Sequence, residues 1–266
     1  MGRARAHGIS RRATILLLLV VLAAAVGIWW WRHRQPARAP ERALPRIAIV
    51  LDDWGYNTQN VPMLTQLHRP VTLAVLPRLR YSSTVARAGR AAGCEIILHL
   101  PIESHRLARD PRTPAEARTI RTTMSEAEIV ADLREALASV PGCRGVSNHQ
   151  GSKGTEDARL MRAILRELQA RHLYFLDSLV TPRTVCRQVA RDVGVPFAQR
   201  RRFLDNDNRE PYIETQLRQL VSDAKAEGRA VGIGHDRPVT LAVLARLLPQ
   251  LERQGVRFVW LSELVQ

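Results

Sequence analysis

The chain is poor in cysteine, aromatic residues and lysine. Its three cysteines, Cys94, Cys143 and Cys186, are too few and too scattered for a metal ribbon or a disulfide framework, and no C-x-x-C occurs. One pair could oxidise in an exported protein, but the spacing does not choose it. Aromatics make up 5% of 266 residues, and no basic stripe is interleaved with them. That argues against nucleic-acid binding, although 40 Lys+Arg exceed 25 Asp+Glu. Only Lys153 and Lys225 are lysines, so the excess is arginine and predicts a solvated basic surface. No G-x-S-x-G elbow, P-loop, full dinucleotide fingerprint or H-E-x-x-H is present. With 45% hydrophobic and 24% charged residues, the composition is that of a folded protein.

Acidic residues are almost missing from the first 46 positions, where nine arginines face Glu41 alone. Within that stretch, Ala13 to Trp31 carries no charge. Nineteen residues at ~1.5 Å each give about 28 Å, close to a bilayer's hydrocarbon core. Arg3, Arg5, Arg11 and Arg12 precede the run, and Trp29, Trp30 and Trp31 close it as an aromatic belt would. Ala23-Ala24-Ala25 offers a signal-cleavage site, but the run continues past it, which favours an uncleaved anchor. Both flanks are basic, so orientation is weakly marked. The expected organisation is a short basic cytoplasmic segment (1–12), an anchor or signal sequence (13–31), a Pro/Arg-rich linker (32–46) and a barrel domain (47–266). The expected location is the inner membrane with the domain in the periplasm, or the periplasm itself after cleavage.

From Ile47 onward, short apolar runs alternate with helical stretches: IAIVL (47–51), VTLAVL (71–76), EIILHL (95–100), GVSNH (145–149), LYFLD (173–177), VPFA (195–198), AVGIGH (230–235) and RFVWL (257–261). Several are apolar on both faces, as parallel strands covered by helices require. Ser125-x-x-Glu128 is a capping box, and Thr155 with Glu156 and Asp157 signals another helix start. Pro211 and Pro238 suit first helical turns. Seven or eight strands in this alternation predict an α/β fold, a barrel in preference to an open sheet. Ser104 to Met124 is a long polar connection, equally suited to a lid or a plain surface insertion.

The strand ends carry the chemistry. IAIVL runs into Asp52-Asp53, EIIL into His99, GVSN into His149, YFL into Asp177 and AVGIG into His235. Parallel α/β folds gather ligands at the carboxyl ends of their strands, so five segments deliver Asp or His to one mouth. Each has a bland alternative, a turn-forming Asp or a hydrogen-bonded structural His. One carboxylate and two imidazoles suit zinc or a similar divalent ion with open positions. Of two adjacent aspartates, one can bind metal while the other takes a proton from water, and His235 can protonate a leaving group. A glycosidase pair, Asp52 or Asp53 with Asp177 or Asp205, would leave three histidines without a role.

The motifs LDDWGY (51–56), LHLPIE (98–103), NHQGS (148–152), FLDS (175–178), FLDN (203–206) and GHDRP (234–238) resemble the divergent polysaccharide deacetylase family. The resemblance implies a distorted (β/α)7 barrel and a metal-dependent carbohydrate deacetylase acting on an acetylated cell-envelope glycan. It implies Asp52 as base, Asp53 as metal ligand and His235 as general acid. The family's better-studied relatives carry two histidines four residues apart, whereas His99 is followed at that spacing by Glu103. His149 from the next strand is then expected to supply the second imidazole. Glu103, Asn148, Ser152, Asp177 and Asp205 are expected to contact substrate or support the ligands. The rival reading is a non-catalytic glycan- or protein-binding module on the same barrel, prompted by Glu103.

Overall fold

The structure, a computed structural model, describes residues 11–33, 44–110 and 118–266. Most of the basic N-terminus and of the linker, and residues 111–117 of the long connection, lie outside the described residues. The chain divides into two units, Met1–Ala43 and Leu44–Gln266. In the first, helix α1 (Arg11–His33) is long and apolar enough to cross a membrane over Thr14–Trp31.

The second unit runs β1 (Arg46–Trp54), β2 (Thr72–Val75), α2 (Ser82–Ala91), β3 (Glu95–Ile102), α3 (His105–Arg109), α4 (Glu126–Ser139), β4 (Gly145–Gln150), α5 (Ala158–Ala170), β5 (Tyr174–Asp177), α6 (Cys186–Val193), β6 (Phe197–Gln199), β7 (Arg202–Phe203), α7 (Glu210–Glu227), β8 (Arg229–His235), α8 (Pro238–Glu252) and β9 (Arg257–Val259). All strand pairs are parallel, in the order β6-β5-β4-β3-β2-β1-β8-β7, with β9 beside the start of β1. The two ends of that order belong to one extended stretch. Arg200 N–H donates to Asp177 O, on β5, and the next residue's N–H, Arg201, donates to Val231 O, on β8. The stretch leaves one neighbour and joins the other, so the ring counts seven positions. This is the expected distorted (β/α)7 barrel, split where β6 parts from β8.

Strand alternation sorts the core into two layers. Ile47, Ile49, Leu51, Leu73, Ile96 and Leu98 face outward onto the helices. Ala48, Val50, Ala74, Ile97, Leu176, Ala198, Val231 and Ile233 fill the barrel. Helix starts follow their chemistry. Ser125 and Glu128 form the capping box of α4, and Pro211 and Pro238 sit in the first turns of α7 and α8. For α5 the cap is Asp157, which accepts from Arg159 and Leu160 N–H, and not the earlier Thr155. Thr155 Oγ1 donates instead to Gly151 O.

The floor of the barrel is polar. Buried Glu95 accepts from Thr72 Oγ1, Tyr174 Oη and Ser262 N–H at 3.0, 2.8 and 3.1 Å. Gly145, opposite Tyr174 in the β4–β5 register, leaves room for that ring: a Cβ there would stand 2.4 Å from it. Gly145→Ala is therefore expected to lower the unfolding free energy by about 1–3 kcal/mol through overpacking, read from the urea midpoint of the full chain in detergent.

Candidate metal centre

The inward parity of each strand continues from the apolar interior into the mouth. Two residues beyond Val50, Ile97, Ala198 and Ile233 stand Asp52, His99, Arg200 and His235. On β4 the same alternation presents Ser147 and His149. Polar groups thus replace the next layer of core side chains, and Asp52 and His99 are as buried as that core.

Asp53 has the wrong parity for this layer, and the backbone corrects it. Its φ is +68°, a left-handed conformation that Asp tolerates better than most residues. The pairing of β1 with β2 slips at the same place, from Leu51↔Leu73 to Trp54↔Val75. A bulge of this kind re-aims a side chain at a strand end. Asp53 Oδ1 comes to lie 3.4 Å from His99 Nε2 and 3.1 Å from His149 Nδ1, and the two ring nitrogens are 3.2 Å apart.

These three atoms suit one cation. Ligands about 2.0–2.2 Å from a divalent ion stand roughly 3.0–3.5 Å from each other in octahedral or tetrahedral geometry, the spacing observed here. Asp53 Oδ1 is buried with no aligned hydrogen-bond donor, although two imidazoles adjoin it. Asp53, His99 and His149 are a group of the kind able to hold a metal ion. The Nδ1 of His99 lies 2.8 Å from Ser147 Oγ. With its proton on Nδ1, the ring donates to that hydroxyl and leaves Nε2 free. Burial disfavours the Asp53 carboxylate, but the adjoining imidazoles of His149 and His99 outweigh it and hold its pKa below the usual range.

Two further groups flank this triangle. Asp52 Oδ2 is 3.5 Å from His99 Nε2, while its Oδ1 is buried without a partner. Burial pushes the Asp52 pKa up, and the adjacent Asp53 charge adds to that, against the pull of His99. His235, paired in register with Asp52 across β1 and β8, donates from Nδ1 to Asp205 Oδ1 at 2.7 Å. Asp205 is fully buried and also accepts from His235 N–H and Thr240 Oγ1. Burial opposes the charged imidazolium, but the hydrogen bond and charge of Asp205, with Asp52 and Asp53, raise the His235 pKa overall.

Of the expected residues, Asp52, Asp53, His99, His149, His235 and Asp205 come together. Four others are engaged elsewhere. Glu103 accepts from Thr122 N–H and Oγ1 and pairs with Lys153 at 3.3 Å, tying the end of the long connection to the turn after β4. Asn148 accepts from Ser178 N–H and donates to Gln150 O, joining β4 to β5. Ser152 Oγ accepts from His105 N–H. Buried Asp177 accepts from Leu179 N–H, Thr184 Oγ1 and Gln199 Nε2.

Sequence reading missed Ser147, Thr240, Arg200 and Phe203. The Arg200 guanidinium lies 3.8 Å over the Phe203 ring and donates to Ser178 O and Leu179 O, and Phe203 stacks on His235 with centroids 6.1 Å apart. Ser147 and Arg200 were findable by stepping two residues along an inward face. The contacts of Thr240 and Phe203 depend on tertiary packing.

A parallel α/β barrel with an Asp-His-His cluster at the carboxyl ends of its strands defines the class. The chain belongs to the divergent polysaccharide deacetylase family, whose pattern it matches over residues 49–265. It is 32% identical over 206 residues to the "uncharacterized protein YibQ" of Escherichia coli, covering 77% of this chain and 63% of YibQ. The fold is shared with the uncharacterized protein ATU2773 of Agrobacterium tumefaciens, at a TM-score of 0.78 and 21% identity over 87% of this chain and 92% of that one. It is shared more distantly with the catalytic domain of a peptidoglycan N-acetylglucosamine deacetylase from Eubacterium rectale, at a TM-score of 0.52 and 12% identity over 85% and 93%.

The His235–Asp205 pair carries its own test. Asp205→Asn removes the charge that favours the imidazolium, so the His235 pKa is expected to fall, read from the ring C–H shifts in an NMR titration.

Proposed function

We propose that the chain is a metal-dependent carbohydrate deacetylase that removes N- or O-acetyl groups from a cell-envelope glycan. The observation that carries this reading is the 3.1–3.4 Å triangle of Asp53, His99 and His149, with Asp52 on one side and His235 on the other. The chemistry of the donor set suits zinc. When bound, the metal polarises a carbonyl and makes water a stronger nucleophile.

The protein's own groups divide the proton transfers. Asp52, with one buried oxygen unpartnered, accepts the proton of the attacking water. The water oxygen bonds to the acetyl carbon, and the bond from that carbon to the sugar nitrogen or oxygen breaks. His235 donates a proton to the departing atom, and Asp205 stabilises the charged ring that does so. Acetate and a free amine or hydroxyl result. Arg200 and Phe203 hold the His235 ring face in place. The non-catalytic alternative rested on Glu103 standing where relatives carry a second histidine. The position of His149 beside His99 favours the catalytic reading, because a second imidazole can arrive from another strand.

Helix α1 supports attachment to the inner membrane, with the barrel in the periplasm where an envelope glycan is accessible. If α1 is a cleaved signal, the barrel is released there. The envelope glycan and the membrane are the proposed partners, and no nucleic acid is expected.

The test uses the full chain in a neutral detergent. Purified protein is expected to hold about one equivalent of zinc and to release acetate from acetylated envelope oligosaccharides. His149→Ala is expected to lose the metal. Asp52→Asn is expected to keep it while turnover falls about 10²–10⁴-fold. Protein that binds no metal and releases no acetate, yet retains glycan, would return the reading to a binding module. Because the acid form of His235 is needed, Asp205→Asn should move the alkaline limb of the kcat/KM profile to lower pH: the lowered His235 pKa empties that form sooner as pH rises.

A further inference from the structure

The opposite end of the barrel carries a second concave surface. A cavity of about 540 Å³ opens beside the starts of β3 and β4, lined by Arg90, Gly93, Gly142, Arg144 and Trp260 among others. Glu95 begins β3 there, and His99 follows four residues on, about 13 Å along the strand. The cavity is therefore separate from the metal centre.

Three features make it a recognition surface. First, Trp260 is 41% exposed, and Leu44, Tyr56 and Trp260 are the only exposed large hydrophobics among the described residues of the barrel unit. The indole is fixed in spite of its exposure, because its N–H donates to Gly93 O at 3.2 Å. A held ring presents a flat apolar wall at small entropic cost.

Second, two cations flank this wall without being spent. The guanidinium groups of Arg90 and Arg144 make no hydrogen bond or ion pair among the described residues. Most other described arginines of the barrel unit make a side-chain hydrogen bond or an ion pair, such as Arg134 with Glu167, Arg202 with Asp223, Arg246 with Glu214 and Arg237 with Asp205 O. The one carboxylate in the lining, Glu95, is buried and already accepts from Thr72, Tyr174 and Ser262.

Third, the backbone makes room for one of the cations. Gly142 has φ +76°, and an added Cβ there would stand 2.2 Å from Arg90 Nη1. The guanidinium lies across a turn that a side chain would fill.

A pyranose ring has a face of C–H bonds that packs on an indole, and a guanidinium fork matches a carboxylate or phosphate through two hydrogen bonds. We propose that this cavity binds an acidic sugar, one that stacks on Trp260 while its anionic group meets Arg90 and Arg144. It would give the barrel a grip on a glycan chain away from the metal centre. The proposal shares with the deacetylase reading only the glycan nature of the ligand, and its test reads binding without turnover.

The probes are N-acetylmuramic acid, N-acetylglucosamine, glucose 6-phosphate and inorganic phosphate, followed by saturation-transfer NMR with the full chain in neutral detergent. N-acetylmuramic acid is expected to bind in the millimolar range and N-acetylglucosamine at least tenfold more weakly. Glucose 6-phosphate binding comparably would identify the anionic group as general, and its failure would restrict the site to carboxylates. Arg90→Gln with Arg144→Gln should erase the preference for the acidic sugar. Trp260→Ala should abolish sugar binding, with circular dichroism confirming the fold. His149→Ala, which impairs the metal centre, should leave binding unchanged. Binding that vanishes in His149→Ala or persists in Trp260→Ala would overturn the proposal, as would inorganic phosphate binding as tightly as the acidic sugar. Loss of deacetylation alone would leave it standing.

Discussion

Every second side chain of a strand in a parallel barrel points inward, and all the strands end at the same rim. That constraint organises this protein. Below the rim the inward positions hold Ala48, Val50, Ile97, Ala198, Val231 and Ile233, which need only fill space. One step higher the same rows hold Asp52, His99, Arg200 and His235. The apolar layer beneath them fixes their Cα positions and gives them an apolar floor. The stability of the barrel and the geometry of the mouth therefore rest on the same packing, and a slip of one residue in any strand would turn a site residue outward.

This explains why so much was legible in advance. A run such as IAIVLDD shows both a strand and the acids at its end. Because parallel α/β folds collect strand ends at one rim, the sequence alone brings Asp52, His99, His149 and His235 together. What escaped depends on features with no periodic signal. β7 is two residues long and exists because one stretch must leave β5 and join β8. The inward turn of Asp53 depends on a single left-handed φ, which nothing in the letters DD reveals. Glu103, Asn148, Ser152 and Asp177 sit in the right motifs, but their hydrogen bonds tie loops and strands to each other. Motif membership marked them without distinguishing a group that frames the mouth from one that lies in it.

The rim carries backbone strain where the chemistry gathers. Asp53, Gln150 and Leu179 each have positive φ, and each follows the end of an inward row. Conformations of this kind cost about 1–3 kcal/mol each. They persist because neighbouring contacts hold them: Asn148 links Ser178 to Gln150 O across two of them. The clamp makes Asn148 a positioning residue for the β4 rim, even though its side chain is committed to backbone groups.

Charge sets the remaining condition. Two adjacent carboxylates, one fully buried, cannot both stay ionised beside neutral imidazoles without a large desolvation cost. Burial disfavours a charged His99, yet Asp52 and Asp53 draw its pKa upward, and a proton on His99 would balance the pair. A divalent ion held by Asp53, His99 and His149 would balance the same charge more fully, and would release that proton, because Nε2 cannot hold both. Proton and metal thus compete for one atom. Acid should weaken the metal site through His99 before Asp53, whose pKa is held low, begins to titrate. The competition bears on Asp52 as well, because its Oδ2 lies 3.5 Å from the same His99 Nε2 while its Oδ1 has no partner.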